Sequence, residues 1–342
     1  MTLLQRTAYD EQFYREELFD FLPETFIDCH THIWKDEFLL RPRVPKWESF
    51  VSVDNPIEDL IATNEELFPG KKCISVLYPN PISTMDVPRN NEYTLNAARK
   101  YHFPALYLSR PEEPAEHLRE EVLKGGYAGV KVYLNYAPSY IPEEEIRIYD
   151  FLPKEHLKVI DELGKVVQVH IARSKRLADP VNYVQLGEIE ENYPNLTLIV
   201  AHLGRAYADA DVGNALEYLK DTKKTMWDFT ANTNQHVMEQ VLEKFGPKRF
   251  IYGSDFPVFR MKARRTVEND YYINEVPKGS LGNLDGVAHM REIPYPEAEK
   301  ITFFIYEEIA SCKRAVQNLG LSKKDVEDIF YNNSRELFGP GM

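Results

Sequence analysis

Short apolar and β-branched runs alternate along this chain with longer amphipathic stretches. Several amphipathic stretches begin after Pro or Asn and end at Gly, which is typical of capped helices. We expect helices at 90–101, 112–126, 153–164, 180–194, 206–221 and 234–247. We expect strands at TFIDCH (25–30), KCISVLY (72–78), FPALYLS (103–109), AGVKVYL (128–134), KVVQVHI (165–171), LTLIVAH (196–202), TMWDFT (225–230) and RFIYGSD (249–255). Eight strand–helix repeats predict an α/β fold of the (β/α)8 TIM-barrel class, with a doubly wound open sheet as the alternative.

Two connections are longer than the usual loops of such a barrel. One runs from Ile33 to about Pro56, and the other from Phe256 to about Pro296. Both follow the carboxyl ends of predicted strands, where barrels of this class carry their chemistry. We therefore expect lids or substrate walls, with a contact between copies of the chain as the alternative.

The termini are expected to add helices to the barrel. Residues 1–24 are interpreted as a leading helix, 297–318 as a further helix, and 322–339 as a closing helix pair. The prediction is a single domain over residues 1–342, with the barrel core at about 25–342.

The ends of the predicted strands carry an unusual set of polar residues. In FIDCHTHIW (26–34), His30 and His32 are two residues apart, so in a strand their side chains project from the same face. The remaining members end strands five, six and eight: His170, His202 and Asp255. A polar strand end with solvated histidines is the plain alternative. Four imidazoles and a carboxylate on one rim favour a divalent metal, zinc first, with manganese, iron or cobalt as alternatives.

Composition narrows the possible partners. The formal net charge of -13 argues against nucleic acid or an anionic membrane as a general partner. No apolar run approaches the roughly 20 residues of a membrane span. The N-terminus lacks the pattern of a signal peptide, and three scattered cysteines imply no disulfide framework. We therefore expect a cytoplasmic protein.

Six segments, in this order and on these strands, resemble the amidohydrolase superfamily. They are DCHTHIW, GVKVYL, VHIAR, IVAHLGR, RFIYGSDFP and NNSRELFG. The resemblance is to the amidohydrolase-related branch, which contains lactonases, other hydrolases and aminocarboxymuconate-semialdehyde-type decarboxylases. It implies one metal held by His30, His32, His170 and Asp255. It also implies that Asn333 has a structural role at the last helix.

The resemblance leaves a second metal open. Lys131, in strand four, lies in the region where relatives with two metals carry a bridging carboxylated lysine. His202 would then be a second-metal ligand. A buried, salt-bridged Lys131 is the alternative.

The remaining candidate residues concern catalysis and substrate. Asp255 and His202 are expected to be catalytic: Asp255 takes a proton from water, and His202 orients the substrate or acts as acid or base. Arg173 and Arg205 are expected to bind a carboxylate or hydroxyl of the substrate, or else to pair with neighbouring acids. Tyr133 and Trp34 are expected to line the site.

These residues predict a metal-dependent hydrolase that uses metal-activated water on an ester, lactone or amide carbonyl of a small substrate. A non-oxidative decarboxylase of an aromatic or enoic acid on the same scaffold is the alternative. A non-catalytic binding barrel is the second alternative. The expected partner is a small molecule, and relatives of this kind suggest a homo-oligomer.

Overall fold

All eight predicted strands are present in the computed structural model, which describes residues 4–339. They are β1 Thr25–Ile33, β2 Lys72–Pro79, β3 Leu106–Leu108, β4 Gly129–Tyr133, β5 Val166–His170, β6 Thr197–Val200, β7 Met226–Asp228 and β8 Phe250–Ile251. Strands β3 to β8 form one parallel sheet in chain order, and β1 pairs with β2 in parallel.

Backbone bridges connect the two sheets on both sides. Leu77 of β2 bridges Ala105, just before β3, and Thr31 of β1 bridges Phe256, just after β8. The amide of Cys29 also donates to the carbonyl of Tyr252. The strands therefore follow one another around a ring, as the predicted (β/α)8 barrel requires and an open sheet does not.

The helices lie mainly where the sequence predicts them. They are α1 Ala8–Phe13, α2 Glu48–Val51, α3 Ile57–Leu67, α4 Val87–Tyr101, α5 Ala115–Gly125, α6 Ile148–Phe151, α7 Lys154–Glu162, α8 Pro180–Asn192, α9 His202–Arg205, α10 Ala215–Tyr218, α11 Gln235–Phe245, α12 Phe304–Asn318, α13 Lys323–Glu327 and α14 Asn333–Phe338. Of these, α9 is a single left-handed turn. Helix α4 begins three residues before the predicted Asn90, because the Asp86 side chain caps it by accepting from the Arg89 amide. No helix within residues 4–339 is long and apolar enough to cross a membrane.

Two predicted helices differ in the structure. The stretch 206–221 contains only a 3-10 turn, Asp209–Asp211, and the single turn of α10. Gly213 separates them with a left-handed backbone (φ 51°), and a Cβ at this position would lie 2.9 Å from the Cβ of Ala178. The leading helix consists of α1 and a π-helical continuation to Leu18, and residues 1–3 lie outside the described residues.

The barrel interior and its outer layer form separate apolar clusters. Residues of several strands, such as Ile27, Val76 and Ile199, pack with Phe338 of α14 in the smaller cluster. The larger cluster lies between the strands and the helices. Asn333 donates to the carbonyls of Pro247 (2.8 Å) and Phe250 (3.0 Å), so α14 is attached to the start of β8 as its expected structural role requires.

The second long connection folds into a small sheet that the sequence pattern did not predict. Its strands are β9 Arg264–Glu268, β10 Tyr271–Pro277 and β11 Met290–Ile293, in the order β11-β10-β9. We call this the cap sheet. The two long connections meet, because Arg260 donates to the carbonyl of Val51 (2.8 Å) and the rings of Trp47 and His289 are 6.3 Å apart.

Asp328 connects the C-terminal segment to the rest of the fold through two ion pairs. Its buried carboxylate pairs with Lys248 (2.7 Å) and Lys324 (3.1 Å). Burial alone would raise the pKa of Asp328, but hydrogen bonds from Lys248, Asn332 and Lys324 outweigh burial and lower the pKa to about 2. Because the folded pKa is below the unfolded value, the pair stabilises the fold at neutral pH, and this stabilisation is lost as pH falls toward 2.

We expect Asp328→Asn to lower the free energy of unfolding by about 1–2 kcal/mol at pH 7. The difference from the parent protein should shrink as pH falls from about 5 to about 2. Urea unfolding at several pH values measures it, and Glu327→Gln, at an exposed neighbour, is the control. A loss that does not change with pH would contradict the ionic origin of the effect.

Candidate metal centre

Three predicted ligands converge at the carboxyl ends of β1 and β8. The Nε2 atoms of His30 and His32 lie 3.5 Å and 3.3 Å from Oδ1 of Asp255. The three ligand atoms all lie within 4.8 Å of one another. Two ligands that are each about 2.1 Å from one tetrahedral metal lie about 3.4 Å apart. The donor atoms therefore fit a divalent cation with nitrogen and oxygen ligands.

The opposite nitrogen of each imidazole has its own partner. His30 Nδ1 lies 3.1 Å from Oδ2 of Asp228, and His32 Nδ1 lies 2.9 Å from the carbonyl of Pro79. Because a carbonyl only accepts, His32 Nδ1 carries the proton, and the Asp228 carboxylate favours the same tautomer in His30. Burial and the nearby Lys131 lower the pKa of His30 to about 3. Both Nε2 lone pairs are thus directed to the centre.

Asp255 is the member of the group that faces solvent. Its side chain is 21% exposed, compared with 1% for His30 and 8% for His32. Its backbone is left-handed (φ 54°), and its carboxylate lies against His30 and His32 of β1. Burial alone would raise the pKa of Asp255, but His32, His30 and His202 outweigh burial and hold this pKa below its usual range. The carboxylate is therefore ionised at neutral pH.

Asp228 is a site residue that the sequence pattern did not predict. Its Oδ2 accepts from Gln168 and His30, and its Oδ1 accepts from the amides of His202 (2.8 Å) and Thr230 (3.2 Å). Asp228 forms a second compact group with His30 and His202. Because Asp228 engages His30 through Nδ1, this group orients the ligand rather than forming another metal site. The sequence feature that could have identified Asp228 is its position as the only acid in the predicted strand TMWDFT.

His202 lies between the two groups. Its ring is 4.9 Å from the ring of His30 and 4.9 Å from that of His170. His202 Nδ1 donates to the carbonyl of Thr230 (3.2 Å), so Nε2 is the unprotonated nitrogen. Burial lowers the pKa of His202, and the neutral imidazole can accept a proton at Nε2.

The structure does not bring His170 into either compact group. The His170 ring packs against that of Tyr133 (4.5 Å), and its Nδ1 lies 3.2 Å from the carbonyl of Ile171. Three of the four predicted ligands therefore converge. The ligand role of His170 remains a prediction.

Lys131 is fully buried beside the ligands. Its Nζ lies 3.3 Å from Nε2 of His30 and donates to Oε1 of Gln168 at 3.3 Å. No carboxylate within residues 4–339 is at ion-pair distance from Lys131, so the packing does not support the salt-bridged alternative. Burial lowers the pKa of Lys131 to about 8. A neutral amine, which carboxylation requires, is thus accessible near neutral pH, and carboxylation itself remains a prediction.

The predicted substrate residues have different surroundings. Arg173 pairs with Asp179 (2.8 Å), which caps α8. Arg205 has no acid within ion-pair distance among the described residues, and it donates to the carbonyl of Ile171 at 3.4 Å. Burial, together with the nearby His202 and Arg205, lowers the pKa of His170 well below its ordinary value. Arg205 is therefore the better candidate for binding an anion.

The two predicted aromatic residues also differ. Tyr133 lies against His170, inside the site. Trp34 is buried with Phe38 and Met85 under the first long connection, and its indole nitrogen donates to the carbonyl of Val53 (2.9 Å). This packing does not favour a substrate contact, and the lining role of Trp34 stays a prediction.

The barrel fold and the histidine–aspartate centre agree with the comparisons with known proteins. The amidohydrolase family model matches residues 27–339, so the chain belongs to the amidohydrolase family. No curated protein matches the sequence significantly.

Solved structures with the same fold include hydrolases and decarboxylases. One is a probable 2-pyrone-4,6-dicarboxylic acid hydrolase from Acinetobacter baumannii with citric acid bound (TM-score 0.56, 18% identity, covering 92% of this chain and 98% of that chain). Another is a dihydroxybenzoic acid decarboxylase from a Polaromonas species, with bound manganese and the inhibitor 2-nitroresorcinol (TM-score 0.55, 14% identity, covering 92% of this chain and 96% of that chain). A third is 5-carboxyvanillate decarboxylase from Sphingomonas paucimobilis (TM-score 0.52, 11% identity, covering 92% of this chain and 99% of that chain). At these identities the likeness establishes the fold.

Asp228 gives the first test of the centre. We expect Asp228→Asn to weaken metal affinity by about 10- to 100-fold, because the amide replaces one carboxylate oxygen that orients His30. Competition with a chromophoric chelator measures the affinity. Asp209→Asn is the matched control, since Asp209 pairs with the exposed His236 away from the site. Equal affinities in the two folded variants would exclude an orienting role for Asp228.

Proposed function

We propose that this protein is a metal-dependent hydrolase that acts on an ester, lactone or amide carbonyl of a small carboxylate- or hydroxyl-bearing substrate. The observation that carries the proposal is the convergence of His30 Nε2, His32 Nε2 and Asp255 Oδ1 at distances suited to one cation. Asp255 is the partly exposed member of this centre, and the neutral His202 lies beside it.

His30, His32 and Asp255 would hold the metal, with His170 as the proposed fourth ligand. Two imidazoles and a carboxylate suit zinc, and manganese is the alternative. A divalent cation bound there would lower the pKa of water toward neutrality and polarise a substrate carbonyl.

The chain's own residues would move protons and position the substrate. Asp255 faces solvent, so it takes a proton from the attacking water and passes it to the leaving group. His202 Nε2 orients the substrate or exchanges a proton with it. Arg205, which lacks an acidic partner among the described residues, binds a substrate carboxylate or stabilises the developing oxyanion.

Decarboxylation is the second candidate, because the similar barrels include a dihydroxybenzoic acid decarboxylase and 5-carboxyvanillate decarboxylase. In that reaction Asp255 or His202 would deliver a proton to carbon, and carbon dioxide would leave. A non-catalytic barrel is the least favoured function, because the family contains enzymes and no predicted ligand is missing from the chain.

The metal content is expected to be about one zinc or manganese per chain. Elemental analysis of protein purified without chelators or a metal-affinity step measures it. Two metals per chain would instead support carboxylation of Lys131 and a ligand role for His202. An active, folded protein without metal would contradict the proposed centre.

Asp255→Asn is expected to lower kcat at least about 100-fold while the fold is retained, because a general acid–base group accelerates a reaction about 10²–10⁴-fold. A panel of small lactones, carboxylated aryl esters and hydroxybenzoic acids is assayed by pH-stat and by carbon dioxide release. Release of one new carboxylic acid and one proton per turnover would support hydrolysis, whereas carbon dioxide would support decarboxylation. Asp209→Asn serves again as the control, and full turnover by Asp255→Asn would exclude the proposed role of Asp255.

A further inference from the structure

The turn after β7, residues 229–232, lies between the metal centre, the cap sheet and α12. Ala231 in this turn has a left-handed backbone (φ 57°). A residue other than Gly in this conformation carries a free-energy cost of about 1–2 kcal/mol and persists only when its surroundings hold it. The contacts that hold Ala231 come from Glu308 of α12 and Arg265 of the cap sheet.

Glu308 of α12 accepts a hydrogen bond from the backbone N–H of Ala231. The Ala231 N–H donates to Oε2 of Glu308 at 2.9 Å, and the Glu308 side chain is fully buried. Its Oε1 has no hydrogen-bond partner within the described residues. Burial and the nearby Asp28 raise the pKa of Glu308 well above its ordinary value. Glutamine has nearly the same size and keeps a side-chain oxygen that can accept from the Ala231 N–H, so it is a close replacement.

Arg265 of the cap sheet holds the carbonyl side. Its Nη1 donates to the carbonyl of Ala231, and its Nε donates to Oδ1 of Asn274 at 2.8 Å. The guanidinium lies over the rings of Tyr207 (4.6 Å) and Tyr272 (4.7 Å). Arg265 is thus fixed from several sides, and it fixes the peptide that follows Ala231.

The peptide that Glu308 holds is the same one that faces His202. The Ala231 N–H and the Thr230 carbonyl belong to one planar peptide group, in which they point in opposite directions. The N–H is directed to Glu308, and the carbonyl accepts from Nδ1 of His202 (3.2 Å). Rotation of this peptide would remove the acceptor that keeps the His202 proton on Nδ1.

We propose that Glu308, supported by Arg265, is a positioning residue that fixes the tautomer and ring orientation of His202 through the Thr230–Ala231 peptide. The reactive nitrogen of His202 thereby faces the substrate side of the centre. The cap sheet, formed by the second long connection, is thus linked to the catalytic histidine through Arg265. The effect on turnover rests on the proposed role of His202, whereas the effect on its tautomer does not.

The tautomer can be measured without substrate. Long-range proton–nitrogen correlation spectra of histidine-labelled protein, with and without added zinc, report which ring nitrogen carries the proton. The His202→Asn spectrum assigns the signal. We expect a single Nδ1–H tautomer for His202 in the parent protein and in Glu308→Gln. We expect a mixture of tautomers in Glu308→Leu, which has no acceptor for the Ala231 N–H.

Turnover on whichever panel substrate is active is the second readout. We expect Glu308→Leu to lower kcat about tenfold or more, with KM within about twofold and metal content unchanged, because part of a general acid–base contribution is lost. Glu308→Gln should restore kcat. Glu307→Leu, at the neighbouring position on α12, is the control and should match the parent protein. If Glu308→Leu does not fold, Glu308→Asp, whose carboxyl is one methylene shorter, gives the same test.

The outcomes separate this inference from the proposed function. An unchanged tautomer in a folded Glu308→Leu or Glu308→Asp variant would overturn the positioning role, as would a Glu308→Gln variant that behaves like Glu308→Leu. A changed tautomer with unchanged kcat would support positioning by Glu308 and overturn the role of His202 in catalysis. A changed tautomer in a protein that turns over none of the panel would also support the positioning, and it would count against the proposed function alone.

Discussion

The carboxylate of Asp228 accepts four hydrogen bonds inside the barrel, and the arrangement of the candidate site depends on them. The donors are His30 of β1, Gln168 of β5, and the amides of His202 and Thr230 after β6 and β7. A buried charge without partners would cost several kcal/mol. The carboxylate therefore holds these segments in one relative position. Because it also engages Nδ1 of His30, it directs the ligand nitrogen toward Asp255.

The candidate site has a buried inner side, next to Asp228, and a partly exposed outer side. The inner side contains His30, Lys131 and Gln168, which are fully buried; Lys131 donates to Gln168, which in turn donates to Asp228. The outer side contains Asp255, which is partly exposed, and Arg205, which has no acidic partner within the described chain. In the proposed function, Arg205 would bind an anionic group of the substrate at this outer side of the site.

The cap sheet contacts the turn that lies beside the candidate site. Its strands β9 to β11 come from the connection after β8, and Arg265 links them to the turn after β7. The first long connection contacts this region through Val51 and Trp47. In the proposed function these loops would border the substrate, whereas the candidate ligands His30 and His32 belong to β1 and Asp255 follows β8. Such a division would let the loops change specificity without altering the ligands.

The sequence alone determined the eight strands, the barrel class and the rim that carries His30, His32, His170, His202 and Asp255. These features follow from local patterns: the two-residue period of a strand, the capped helices between strands, and the shared edge of parallel strand ends. The tertiary structure alone decided which of these residues meet. It selected Asp228 as the orienting carboxylate, left His170 outside the compact groups and buried Trp34 with Phe38 and Met85. It also broke the helix at Gly213 and paired three strands across a stretch that was interpreted as a loop. Each of these outcomes depends on contacts between residues far apart in the chain, and local patterns carry no information about such contacts.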